Sequence, residues 1–321
     1  MIWLAWRRHR LSVLIMVGLT AALGLWMAYV THSYDGLVSA RIPTPSEVAQ
    51  LSDLQNQSTV IALLLLFLPC LIGVVLGAPL IAGEYRDRTN RLAWTQSISR
   101  TRWTVTKWWV VGLASVVLAA ALVPVAQWWS GRTSLQFGVS LFGFAFGRIQ
   151  PHTFAVTGVA PVAYTLFAFA LGVTLGALLR RTAWAVVGTV VIYGLLALLM
   201  ATTIRPVLAP QVFVPFAEGG TASAPLTSDP QYPWDLGAGF RFAPGTRVPA
   251  GSPSASDIGQ RCVNLPTGGP ACLATHRVQI GEAYQPADHY WALQWRESAL
   301  YLGLAVLLFG LAILAVRRMR E

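Results

Sequence analysis

GEYRDRTNRLAWTQSISRTRWTVTK, residues 83–107, separates two long apolar runs. It holds six of the chain's 23 Lys and Arg residues: Arg86, Arg88, Arg91, Arg100, Arg102 and Lys107. Inside it, residues 90–99 form a compact amphipathic core with Leu92, Trp94 and Ile98 as its apolar positions. On a helix turning about 100° per residue, Trp94 and Ile98 share one face and Leu92 widens it. The flanking runs, 59–82 and 108–129, are uncharged. Each is long enough to cross a hydrocarbon layer of about 30 Å, which takes about 20 helical residues. Lys and Arg bias a loop to the cytoplasmic side, so this stretch sets the direction of every other span. A loop of this shape is either a plain topology signal or a docking element for a soluble partner.

Working outward, the whole chain reads as an integral membrane protein. It is 55% hydrophobic and only 11% charged, with mean hydropathy +0.56, whereas a soluble domain carries about 25% charged residues. Six spans are expected, at 11–30, 59–82, 108–129, 153–179, 183–203 and 298–316. The first follows Arg7, Arg8 and Arg10 and is longer than the about 7–15 residues of a signal-peptide core, so it reads as a retained span. Pro69 and Pro79 are expected to kink the second span, and a short helix at 46–57 precedes it. Pro161 lies inside the fourth. Only Arg180, Arg181 and Thr182 part the fourth span from the fifth, which again reads as cytoplasmic. Tryptophans 108, 109, 128, 129, 291 and 295 mark membrane–water boundaries.

Six spans place both termini on the cytoplasmic side. The inward segments then carry 14 Lys and Arg against three acids (Glu84, Asp87 and Glu321), while the outward ones carry nine basic residues and ten acids. The formal charge of +10 is therefore a topology signal, and nothing requires a nucleic acid. The fold class expected is an all-α integral membrane protein. Residues 1–203 form helices one to five with the loop 83–107, residues 204–297 form a large irregular extracellular insertion rich in Pro, Gly and Ser, and residues 298–321 form the sixth helix with a basic tail. Lysine occurs only at 107, and the bias to Arg and Ala points to a GC-rich genome.

Several chemistries are excluded. The expected span interiors contain no Asp, Glu, Lys, Arg or His, whereas ion-coupled carriers keep such groups near the midplane. No histidine is placed to activate a serine nucleophile. No G-x-x-x-x-G-K-[ST] occurs, and the lone Lys107 is followed by Trp108, so the chain does not bind nucleotide through a P-loop. No catalytic residue, no metal site and no cofactor of its own is expected. Cys262 and Cys272 bracket VNLPTGGPA on the outward side, where a disulfide is permitted and two free thiols are the alternative. Gly73/Gly77 and Gly172/Gly176 recur at four-residue spacing, which suits close helix packing within one chain or between two copies.

The stretch APLIAGEYRDRTNRLAWTQSISRTRWTVTK, residues 78–107, resembles the cytoplasmic loop of type-2 ABC-exporter permeases. There the second span ends in an acid, followed by a Gly-Thr or related pair, an amphipathic coupling helix, a Ser-Arg turn, and a lysine that opens the third span. Glu84, Thr89, the helix around Arg91–Ile98, Ser99 with Arg100, and Lys107 match those positions, while Arg88 stands where glycine is usual. The turn LLRRT at 178–182, the run QPADHYWALQW at 285–295 and the six-span layout are also similar. The resemblance implies that Glu84, Arg88, Thr89, Arg91, Leu92, Trp94, Ile98 and Arg100 couple the chain to a separate ABC ATPase subunit, which holds the ATP and Mg. It implies a second permease copy or paralogue in the membrane lipid, and outward transport of an amphiphilic or apolar substrate such as a drug, lipid or peptide. The competing reading is a membrane-anchored sensor or binding protein acting through its extracellular part.

Overall fold

The computed structural model describes residues 2–38, 44–86, 100–133, 148–216, 234–249, 252–267 and 269–318. Among these, six helical segments are long and apolar enough to cross a membrane: Arg10–Leu37, Pro45–Gly83, Thr104–Thr133, Ala160–Leu179, Thr182–Val207 and Ala287–Arg318. In lipid every backbone N–H and C=O must be satisfied within its own segment, so apolar runs of this length become helices. The expectation of an all-α fold with six spans holds, and every span but the fourth runs further than the apolar run that announces it.

Helix α1 (Ile2–Val38) continues eight residues past the run expected to end at Val30. Helix α2 (Pro45–Ile72) begins well before its apolar part, so the short helix expected at 46–57 is the first part of span two. The reason is local. Thr44 caps the helix, its hydroxyl accepting from the Glu47 N–H while Glu47 accepts from the Thr44 N–H, and Pro45 occupies the first turn. Such a reciprocal cap satisfies two orphan donors and fixes where the helix starts. Trp26, near the end of the apolar run of α1, donates from Nε1 to Gln57 at 3.0 Å and ties α1 to the polar extension of α2.

Between the prolines of span two the helix widens into a π turn, Gly73–Gly77, in which the Ala78 N–H reaches Gly73 C=O, before α3 (Ala78–Arg86) resumes. Pro79, just beyond it, has no N–H to give. After α4 (Arg100–Thr133), the expected fourth span is split. A short helix α5 (Pro151–Val156) is followed by a break, and the span proper is α6 (Ala160–Leu179). Gly158 sits in the break at φ +72°, where a Cβ would fall 2.6 Å from Tyr290 Oη. Pro161, which lacks an N–H, then suits the first turn of the next helix.

Helix α6 is the centre of the bundle. Seventy-two per cent of its most apolar stretch is buried, against 22–50% in the other spans. It turns at Arg180, whose φ of 54° is left-handed, into α7 (Thr182–Leu199). The four paired glycines lie where α6 crosses the π turn and α3. A Cβ on Gly172 would stand 2.4 Å from Gly73 C=O, one on Gly176 2.6 Å from Ala78 C=O, and one on Gly73 2.5 Å from Ala168 C=O. Of the two uses left open for them, the structure shows packing within one chain.

Between spans five and six, where irregular chain is expected, the described residues form a three-stranded antiparallel sheet. Its strands β1 (Val212–Pro215), β2 (Trp234–Phe242) and β3 (Val278–Gln285) run in the order β1-β3-β2. Helices α8 (Ala255–Val263) and α9 (Gly269–Thr275) pack beside it, joined by a disulfide between Cys262 and Cys272 with Cα atoms 5.5 Å apart. Cys70 is a buried free thiol. Helix α10 (Tyr290–Arg318) completes the chain as the sixth span.

Candidate functional site

Two places in this fold stand out: the end of the bundle where the basic segments converge, and a buried polar node at the opposite end.

The first follows from helix directions. Ala160 N–H donates to Gln294 and the Thr174 hydroxyl to Leu308 C=O, so α6 and α10 run parallel. Their last turns, with Arg180–Arg181 and Arg317–Arg318, therefore lie at one end. Trp108, near the start of α4, stacks on Phe309 with ring centroids 5.4 Å apart, which puts Arg100 at that same end. Arg132 and Asp35, 3.8 Å apart, join the far ends of α1 and α4, so Arg7 and Arg10 start α1 at the basic end as well. Gly176 against Ala78 and Ala82 brings the end of α3 there too. The described basic residues expected on the inner side are thus collected by packing, although they come from five separate stretches of sequence.

Of the residues expected to couple to an ATPase, Glu84 lies in the last turns of α3 and Arg100 opens α4. Arg88, Thr89, Arg91, Leu92, Trp94 and Ile98 lie outside the described residues. Lys107 is 3% exposed, buried beside Trp108 in the first turns of span three.

The second place was missed by reading the sequence alone. Arg205, at the end of span five, forks onto Glu297, in the second turn of α10. Nε donates to Oε2 at 2.7 Å and Nη2 to Oε1 at 2.8 Å. Both side chains are buried, 3% and 0% exposed. Tyr164 of α6 donates to Glu297 Oε1 at 2.6 Å, Arg205 Nη1 donates to Pro151 C=O at 3.1 Å, and the Arg205 guanidinium lies 4.5 Å above the Phe154 ring. Both residues lie just outside the runs expected at 183–203 and 298–316, whose interiors hold no ionisable group, and inside the longer spans Thr182–Val207 and Ala287–Arg318. A charge at the margin of an apolar run reads as the end of a span, and only the helix extensions reveal these two as buried partners. Opposite charges at the matching ends of consecutive spans are the one signal that could have found them.

Around this pair the chain is bound together by polar contacts. Gln294 donates to Phe154 C=O and Thr157 C=O and accepts from the Ala160 N–H, so its amide stitches the broken start of span four. The Thr157 and Tyr290 hydroxyls share a hydrogen bond of 3.0 Å. Gln285, the last residue of β3, donates to Pro206 C=O at 2.9 Å and Ala209 C=O at 2.8 Å, and Arg296 donates to Leu208 C=O. The two ends of the sheet segment are thereby fixed to the node. Buried polar groups that are fully paired rigidify their surroundings. Chemically the node has no free nucleophile or base; it braces.

His152 begins α5 beside this node, and burial pushes its pKa down to about 4 from the usual 6.5. The native state therefore keeps the ring neutral where the unfolded chain protonates it. Below about 6.5 the unfolded chain binds the extra proton, so stability is full above that pH and declines as pH falls toward 4. The thermal midpoint of the purified protein should drop between pH 7 and pH 5, and His152→Gln should flatten that drop. An unchanged slope in the variant would assign the loss to other groups.

The model of a family described as ABC-2 membrane transporter related matches residues 11–205, more than half of the 321. The match covers the first five spans and residues 83–107, and it ends at Arg205, before the sheet segment and α10. No curated protein and no solved structure matches the chain.

Proposed function

The chain belongs to the ABC-2 membrane transporter related family, and on that premise we propose that it is the permease subunit of an ATP-driven exporter. Membership makes it a multi-pass protein of the cell membrane and a permease-type transport subunit, and implies an ABC ATPase partner in general. We place the basic end of the bundle in the cytoplasm and the sheet segment outside, as the distribution of Lys and Arg favours. The ATPase docks on the segment 83–107, with Trp94 and Ile98 seated in a groove of the partner and Arg91 beside them. A second copy or a paralogue completes the transporter. The position of α6 supports that pairing, because the middle of one chain is occupied by a helix in backbone contact with its neighbour. The path then runs between subunits. The substrate class is amphiphilic or apolar, such as a drug, lipid or peptide, moved outward as ATP-driven closure of the ATPases shifts the helices between two states.

The observation that carries this reading is the family match across the five spans and the loop. It is tested by co-expressing the chain with candidate ABC ATPases and purifying the complex. Trp94→Ala with Arg91→Glu should leave the permease inserted and folded, reduce ATPase recovery about tenfold or more, and abolish permease-stimulated hydrolysis, since aromatic anchors dominate interfaces and truncating one costs about 2 kcal/mol or more. Wild-type recruitment and stimulation by the double variant would remove this loop as the coupling element. Recovery of no ATPase by the wild-type chain would favour the sensor reading.

A further inference from the structure

The sheet segment contains a cavity of about 340 Å³ between the end of β2 and helices α8 and α9. One part of its wall is apolar, from Phe242, Val248 and Ile258. The rest carries Arg247, Arg261 and His276, and no acidic residue lines it among the described residues. The walls are built in place. The Cys262–Cys272 disulfide joins the two helices that border the cavity. Ser254 and Asp257 cap α8 reciprocally, and the turn after β2 is closed by Thr246 N–H and hydroxyl donating to Ala243 C=O.

Asp257, the acid nearest Arg261 along α8, accepts from the Ser254 hydroxyl at 2.7 Å and does not line the cavity. Its carboxylate is held below the usual range, first by that hydroxyl, then by the Ser254 N–H and last by the charge of Arg261, so the cap is its main partner. The side chains of Arg247 and His276 have no hydrogen-bond or ion-pair partner among the described residues. Sites for small molecules combine apolar walls with a few convergent polar groups, and a guanidinium fork matches the two oxygens of a carboxylate or phosphate.

We propose that this cavity is a binding site for an amphiphilic anion, with its carboxylate or phosphate held by Arg247 and Arg261 and its apolar body against Phe242, Val248 and Ile258. The site goes beyond the transport reading, because it needs no ATPase and is measured on the full chain alone. It also separates two sources of the same chemistry, a membrane lipid headgroup and a free organic anion.

The test uses the purified full-length protein in nanodiscs of phosphatidylcholine, titrated with octanoate, octylamine and octanol by calorimetry. Octanoate should bind saturably at one per chain, octylamine should not bind, and octanol should bind at least about tenfold more weakly, because a hydrogen bond to a charged group is worth about 1.5–3 kcal/mol. Arg247→Gln with Arg261→Gln should weaken octanoate about tenfold or more. Val248→Asp, at a residue already 45% exposed, should repel it while leaving the fold intact, which covers the case where the double variant is unstable. Absence of saturable octanoate binding, equal binding of octylamine, or unchanged affinity in Val248→Asp would each overturn the site. Repeating the titration in discs containing phosphatidate distinguishes the sources. Lost octanoate binding assigns the cavity to the lipid headgroup, retained binding assigns it to a free anion, and both uphold it.

Discussion

Glu297→Ala should unfold the protein at a much lower temperature than wild type, and it is the charge substitution expected to do most damage. In the native chain Arg205 and Glu297 share two short hydrogen bonds in a site from which water is excluded. Removing the carboxylate leaves a guanidinium that cannot lose its proton and keeps only Pro151 C=O, the Tyr164 hydroxyl and the Phe154 face. Breaking a buried pair from one side costs about 3–5 kcal/mol, because the remaining charge is uncompensated. That is a large part of a typical total stability of about 5–15 kcal/mol.

The same argument makes a sharper expectation. Replacing both partners with apolar residues of similar size, Arg205→Met with Glu297→Leu, removes the stranded charge and should recover most of the loss. Tyr164→Phe should cost less, about 1.5–3 kcal/mol, the net worth of one hydrogen bond to a charged group. Thermal unfolding of the purified variants in one detergent checks the series. If Glu297→Ala unfolds within a degree or two of wild type, the node is not the brace described here.

Gly172→Leu should prevent a folded bundle from accumulating. The first atom of the new side chain would lie 2.4 Å from Gly73 C=O and 2.8 Å from the Ala78 nitrogen, so α6 and span two would have to separate. Overpacking a well-packed interior costs about 1–3 kcal/mol when side chains can yield, and here the obstacle is backbone. Even Gly172→Ala should be measurably destabilising. Gly194→Ala is the control, since nothing lies within 4 Å of its Cβ and alanine is the better helix former, so its midpoint should not fall below wild type. Size-exclusion chromatography adds a second reading. A folded, monodisperse Gly172→Leu protein of altered oligomeric state would mean that the glycines form a seam between copies, and would defeat their assignment to packing within the chain.

The number and order of the spans, and the contrast between basic and polar connections, follow from the sequence alone. An apolar run of about 20 residues has one stable form in lipid, so composition is enough to place it. The reading of the loop 83–107 rests on its local motif, and residues 87–99 of it lie outside the described residues. Where helices end was less so. Thr44 and Glu47 start α2 far outside the apolar run, and Gly158 with Pro161 breaks the fourth span, both through short-range geometry that hydropathy does not register. The apolar clusters at 212–216 and 240–242 are short enough for strands, but their pairing into a sheet was hidden because it spans intervals of tens of residues, as Val212 with Tyr284.

Only the tertiary structure decided the use of the paired glycines and the fate of Arg205 and Glu297. A glycine at four-residue spacing offers a smooth helix face, and the partner of that face is a matter of packing. Two opposite charges 92 residues apart look like span boundaries until the helices around α6 bring them within 2.7 Å and shut out the water.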